Sequence, residues 1–232
     1  MTPTLRSCCT LAVVATFIGF APAAFAGPPL ICHPFVVDSA SAMLPWAAGR
    51  EWRLPHPDYD GASLTADTLA LLSVDAPILS RMENLRRATI YADQDPVVAE
   101  ALLAAVLARI DTLPADPHGA GLAWFDAGYL VETYRQLGLV YQHGMLPTKG
   151  RGAPLVSAAV ADIDGYVFIQ KALALVPERR AEFDFAASLM TPAPLAATHR
   201  SQAATAAEPG STLARNLELY ATLRSFGIDV AY

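Results

Sequence analysis

The residues best equipped for chemistry lie near the start of the chain. Cys32 adjoins His33, and His56 is followed by Asp58 and Asp60, so thiol, imidazole and carboxylate donors of the kinds that hold a transition metal share one stretch. Their spacing matches no closed site, because the sequence contains no Cys-x-x-Cys pair, no Cys-x-x-Cys-His and no His-Glu-x-x-His. Proline adjoins both His33 and His56, a setting that suits loop histidines bonded to backbone. A metal centre made of Cys32, His33, His56 and Asp58 therefore requires the fold to bring the four side chains to one point.

Other chemistries are excluded on spacing. Asp58-Tyr59-Asp60-Gly61 and Asp162-Ile163-Asp164-Gly165 both have the centre of a calcium loop, but in the second Val160 and Lys171 stand where an oxygen ligand and the closing acid belong, so Asp162 or Asp164 reads as a helix cap. Thr148-Lys149-Gly150 reverses the order a phosphate cradle needs. No Gly-x-Ser-x-Gly elbow occurs, and neither Lys149 nor Lys171 follows a serine by three residues. A triad assembled from distant residues is defined by geometry and is invisible at this level. Arg81, Arg86 and Arg87 gather around Glu83, with Glu83 and Arg87 four apart, which reads as a solvated helix face. No catalytic residue and no cofactor is assigned.

The first 26 residues read as a signal peptide. Arg6 precedes an apolar run from Leu11 to Phe20, and Ala24-Phe25-Ala26 places cleavage after Ala26. The run is shorter than the ~20 residues that cross a bilayer, and Pro22 interrupts it. Cys32 follows Leu30-Ile31, which is no lipid-attachment context. The expectation is a protein exported to the periplasm or beyond, with no stable membrane anchor. Cleavage removes Arg6 and no acid, taking the net charge from −6 to −7, which disfavours nucleic acid as a partner. It also removes Cys8 and Cys9, leaving Cys32 as the sole thiol and burial as its expected state.

Residues 27–63 carry Pro28, Pro29, Pro34, Pro45, Pro55 and Pro57, which block long regular elements, yet Phe35, Trp46, Trp52 and Tyr59 are too many aromatics for a linker. The segment is expected to lie ordered across the rest, with a short helix about Ser39–Leu44. Residues 64–232 read as an all-α domain. Thr65 caps a helix to about Ser73, and Asp75 opens one carrying Ile78, Met82, Leu85 and Thr89. Asp95-Pro96 starts another with Val98, Leu102, Val106 and Ile110, ended by Leu113-Pro114. Helices from Gly121 to Leu139, Asp162 to Pro177, Glu178 onward, Leu195 to Ala207, and after Ser211 complete a series of antiparallel pairs.

Trp124 and Gly128, four apart, followed by Gly165, Ala172 and Pro177, then Phe183, Ala187, Ala197, Ala204 and Pro209, resemble the tetratricopeptide-type helical repeat over residues 121–209. The long Gly/Pro loop before residue 160, and Pro192 with Pro194, depart from that pattern. The resemblance implies a short superhelix whose first helices line a concave surface with Phe125, Tyr129, Glu132, Asp184 and Ser188, although Phe125 and Tyr129 also suit a core. It makes the expected function non-catalytic binding or scaffolding of another protein or peptide, with the Cys32–Asp60 metal or enzyme site as the alternative.

Overall fold

Aspartate, serine and proline set where the helices begin. The computed structural model describes residues 29–47, 53–93, 95–112, 116–142, 144 and 160–225. The stretch read as a signal peptide, most of the Gly/Pro loop and the Leu113-Pro114 junction lie outside them. The elements are α1 (Pro29–Cys32), a 3-10 turn (Gly61–Ser63), α2 (Leu64–Leu71), α3 (Ile78–Ala92), α4 (Pro96–Thr112), α5 (Pro117–Gln142), α6 (Gly165–Leu175), a second 3-10 turn (Pro177–Arg179), α7 (Arg180–Ser188), α8 (Ala193–Ala206) and α9 (Thr212–Ser225). Asp95 accepts from the Val97 N–H at 2.8 Å, Asp116 from Gly119 at 3.0 Å, Asp164 from Tyr166 at 2.9 Å, and the Ser211 hydroxyl from Ala214 at 3.1 Å. Each such bond satisfies a first-turn amide that the helix cannot and is worth about 1 kcal/mol.

The chain is all-α among the described residues, with one isolated antiparallel bridge between Trp46 and Pro55. Three local expectations change. Helix α2 begins at Leu64 with Ser63 at its cap position, so Thr65 lies inside the helix and does not cap it. Residues 39–44 form no helix: a turn bonds the Ser41 N–H to the Asp38 carbonyl, and the chain then runs extended. Helix α3 starts after Pro77 with no side-chain cap, so Asp75 does not play that part.

The directions of the helices follow from their contacts. Arg81 and Thr89 of α3 meet Asp126 and Thr133 of α5, so these two run parallel. Tyr134 and Asp126 of α5 meet Ala99 and Arg109 of α4, so α4 runs antiparallel to both. Helices α5 and α6 cross antiparallel at a glycine pair, where a Cβ on Gly128 would sit 2.6 Å from the Gly165 carbonyl oxygen and 2.9 Å from the Phe168 Cβ. Only glycine permits this approach. Helices α7 and α8 pair through Asp184 and His199.

An aromatic ladder runs through the interior. Phe183 of α7 stacks on Phe125 of α5 at 4.7 Å, Phe125 on Tyr129 at 5.9 Å, Tyr129 meets Phe35 at 6.4 Å, and Phe35 stacks on Tyr220 of α9 at 5.7 Å. Such pairs add about 0.5–1.5 kcal/mol each beyond the area they bury. The ladder joins alternate helices to the irregular segment. Among the described residues no helix is long and apolar enough to cross a membrane.

Candidate functional site

Residues 30–46 run from the helical turn α1 through irregular chain and the Asp38–Ser41 turn, so most of their backbone N–H and C=O groups lack partners within the segment and need them elsewhere where it is covered. Residues 30–46 find them on side chains of α3, α5 and α9. The Leu30 N–H donates to Gln136 Oε1 at 2.9 Å, and Arg86 donates to the Ile31 carbonyl at 3.2 Å. Tyr220 donates to the His33 carbonyl at 3.0 Å, and the Phe35 N–H donates to Glu83 Oε2 at 3.1 Å. Asn216 takes both groups of Val36, accepting from its N–H at 2.9 Å and donating to its carbonyl at 2.8 Å. Asn84 accepts from the Leu44 N–H at 2.9 Å and donates to the Ala42 carbonyl at 3.1 Å. Arg87 holds the Leu44 carbonyl at 2.6 Å and Tyr91 the Pro45 carbonyl at 2.7 Å. Between these clamps, Leu30, Phe35 and Leu44 are buried as anchors, and Phe35 also meets Phe185 of α7 edge-on at 6.1 Å.

The clamps require charge and amide groups inside the protein, which reverses the reading of α3. Glu83, Arg81 and Arg86 are at most 1% exposed and do not form a solvated face. Glu83 receives Arg86 at 2.7 Å and Arg87 at 2.8 Å, forming a carboxylate bracketed by two guanidiniums. Burial pushes the Glu83 carboxyl up, but Arg86 and Arg87 outweigh it and hold the group below the usual carboxylate range. Arg81 and Arg109 bracket Asp126 in the same way at 2.7 and 2.9 Å, and they hold the carbonyls of Ser73, Ala76 and Leu72 after α2.

All five residues expected on a concave surface are buried, none more than 4% exposed. Phe125 and Tyr129 belong to the aromatic ladder. Glu132 accepts from the Gly165 N–H at 3.0 Å and from Arg135 at 2.6 Å, Asp184 pairs with His199 at 2.7 Å, and the Ser188 hydroxyl donates to the Phe185 carbonyl at 2.7 Å. The Glu132–Gly165 and Asp184–His199 contacts tie helix to helix, while the Arg135 and Ser188 bonds stay within α5 and α7. Tyr129 alone of the five touches the held segment through a ring contact, at Phe35. The residues that do hold the segment's main chain are Glu83, Asn84, Arg86, Arg87, Tyr91, Gln136, Asn216 and Tyr220. Their signal in the sequence was an amide on an apolar stripe: Asn216 falls between Leu213 and Tyr220, both buried.

The metal donors do not converge. Cys32 is buried, and burial pushes its thiol up to about 12, the opposite of what a metal-binding thiolate needs. His33 lies against Tyr220 with ring centres 6.0 Å apart, and burial lowers it. His56 accepts the Asp58 N–H on its own turn at 3.3 Å, and Asp60 caps the following 3-10 turn. Among the described residues no group of three histidine, cysteine, aspartate or glutamate side chains could hold a metal ion.

A partly open cleft of about 430 Å³ borders the held segment between Asp38, Glu178, Glu182 and Glu208. Three of these acids are already engaged: Asp38 by Arg215 at 3.4 Å, Glu178 by His118 at 2.9 Å and Glu182 by Arg179 at 2.8 Å. No family model, curated protein or solved structure matches this chain. The geometry of the held segment is thus the strongest pointer to a role.

Proposed function

We propose that this chain is an exported, non-catalytic binding or scaffolding protein, in which α3, α5 and α9 form a holder for a short, largely irregular segment of a protein or peptide, beside the tetratricopeptide-like pattern of residues 121–209. The reading rests on one observation: residues 30–46 are held through their main chain by side chains projected from these helices. Main-chain bonds fit any extended peptide, while the sockets around Phe35 and Leu44 set which one enters, the division of labour seen wherever extended peptides are recognised. In this chain its own segment takes the place, and a partner's segment competes for it. The acidic balance and the export signal favour a protein partner outside the cytoplasm over nucleic acid.

The test separates the segment from its holder. A protease site is placed within residues 48–52, the purified protein is cut, and a labelled peptide of residues 29–47 is added. The expected result is one-for-one exchange, read by fluorescence polarisation, with N84A/N216A weakening retention by at least about tenfold, as loss of paired hydrogen bonds implies. If the cut protein unfolds, or keeps its fold while no peptide exchanges, the segment is core and the reading fails.

A further inference from the structure

We propose that Tyr166 is a nucleophilic phenol, served by His199 as base and Asp184 as the positioning residue, that accepts an acyl group from a small activated ester. The three side chains come from α6, α8 and α7. The Tyr166 hydroxyl meets His199 Nε2 at 2.8 Å, and His199 Nδ1 meets Asp184 Oδ1 at 2.7 Å. Asp184 is 1% exposed and accepts from Nδ1–H, which leaves the Nε2 lone pair for the Tyr166 proton. Arg180 lies 3.4 Å from the other oxygen, Oδ2, so Oδ1 stays with the imidazole. The Tyr166 and His199 rings stand edge to face at 5.6 Å, which holds the hydroxyl in register with the base. The order hydroxyl, imidazole, carboxylate is that of a nucleophilic triad with a phenol in the first place.

The other tyrosines show why this one stands apart. Tyr59 donates to Asp67, Tyr91 to the Pro45 carbonyl, Tyr134 to the Ala99 carbonyl, Tyr141 to Asp93 and Tyr220 to the His33 carbonyl. Tyr129 is fully buried and has no hydrogen-bond partner for its hydroxyl among the described residues. Burial pushes the hydroxyls of Tyr59, Tyr91, Tyr129, Tyr134 and Tyr220 up, so each keeps its proton. Tyr166 is instead partly exposed and faces a nitrogen that can take the proton.

In the step, the Tyr166 oxygen attacks the ester carbonyl, and a new C–O bond forms while the bond to the leaving alkoxide or phenoxide breaks. The phenolic proton passes to His199 Nε2 and leaves with the departing group. The product is an acyl ester of Tyr166, and no oxidant, reductant or metal takes part in the balance. The reaction is stoichiometric, and it goes beyond the peptide-holding role without depending on it.

The probe is p-nitrophenyl acetate. The expected outcome is a burst of one nitrophenolate per chain, with the acetyl group on Tyr166 by peptide mass spectrometry and no burst in Y166F. In H199Q the rate at Tyr166 falls at least about tenfold, the lower reach of general-base help. D184N slows it through the tautomer, and D184E restores part of the rate, a rescue that a purely structural tie has no reason to show. The proposal is overturned if folded H199Q acetylates Tyr166 at the parent rate. It is equally overturned if Tyr166 in the unmutated protein reacts no faster than Tyr59, a comparison that stands even if H199Q fails to fold.

Discussion

The held segment, anchored by the buried Leu30, Phe35 and Leu44, and the α5–α6 crossing are built on opposite principles. Around residues 30–46 the helices offer amides, guanidiniums and a carboxylate to main-chain groups that every peptide carries. At the crossing, Gly128 and Gly165 bring backbone against backbone, and no polar clamp could substitute for that fit. The first interface is specified by hydrogen-bond geometry and can in principle be vacated. The second is specified by shape and cannot open without losing the fold. On the proposed reading, a holder of an exchangeable segment on a fixed frame needs one of each.

The comparison breaks most severely at Arg86. Replacing it by Met strips Glu83 of a buried partner and releases the Ile31 carbonyl, with an expected loss of about 3–5 kcal/mol in urea unfolding. Gly128→Ala tests the other side: its Cβ meets a carbonyl oxygen that cannot rotate away, so overpacking costs about 3 kcal/mol by the same measurement. The expected contrast is in the pattern. The arginine variant exposes residues 30–46 to hydrogen exchange well beyond the global loss, while the glycine variant lowers protection everywhere.

The two regions also respond to acid with opposite sign. Glu83 sits below its ordinary range, so its contribution is present near neutral pH and is lost as pH falls through its lowered value. Glu132 at the crossing is raised to about 7, chiefly by burial with Arg135 opposing, so its contribution is greatest in the protonated form and is lost as pH rises from its unfolded value toward 7. Glu132→Gln mimics the protonated group. It should leave stability at pH 4.5 nearly unchanged and raise it at pH 8 by about 2 kcal/mol, a gain read from thermal or urea midpoints at the two values. The smallest effect belongs to Asn216→Ala, which removes the paired bonds to Val36 for about 1 kcal/mol and increases exchange of the Val36 amide first.

Much of the frame was legible in the residues. The start signals at Asp95, Asp164 and Ser211 and the apolar spacing of Leu102, Val106, Phe183, Ala187 and Leu213 placed the helices within a few positions, because capping and periodicity are local. Gly128 and Gly165, two small residues of the repeat-like pattern, lie against one another. What hid the groove was the nature of its occupant. Glu83 and Arg87 look like an exposed pair because nothing nearby in the sequence buries them, and the segment that does so contributes backbone, which carries no side-chain pattern. The Tyr166, His199 and Asp184 arrangement was hidden for a related reason, since three helices must pack before its order exists.

The clamp on Val36 joins residues 180 positions apart, and the one on His33 spans 187. A chain made from its N-terminus produces the held segment early and the helix that grips it last. Contacts of such long range form late and slowly, so the side of the socket that α9 supplies around Phe35 and Val36 closes after the clamps from α3 and α5 can form. On the proposed reading, that interval is when a competing strand meets least resistance.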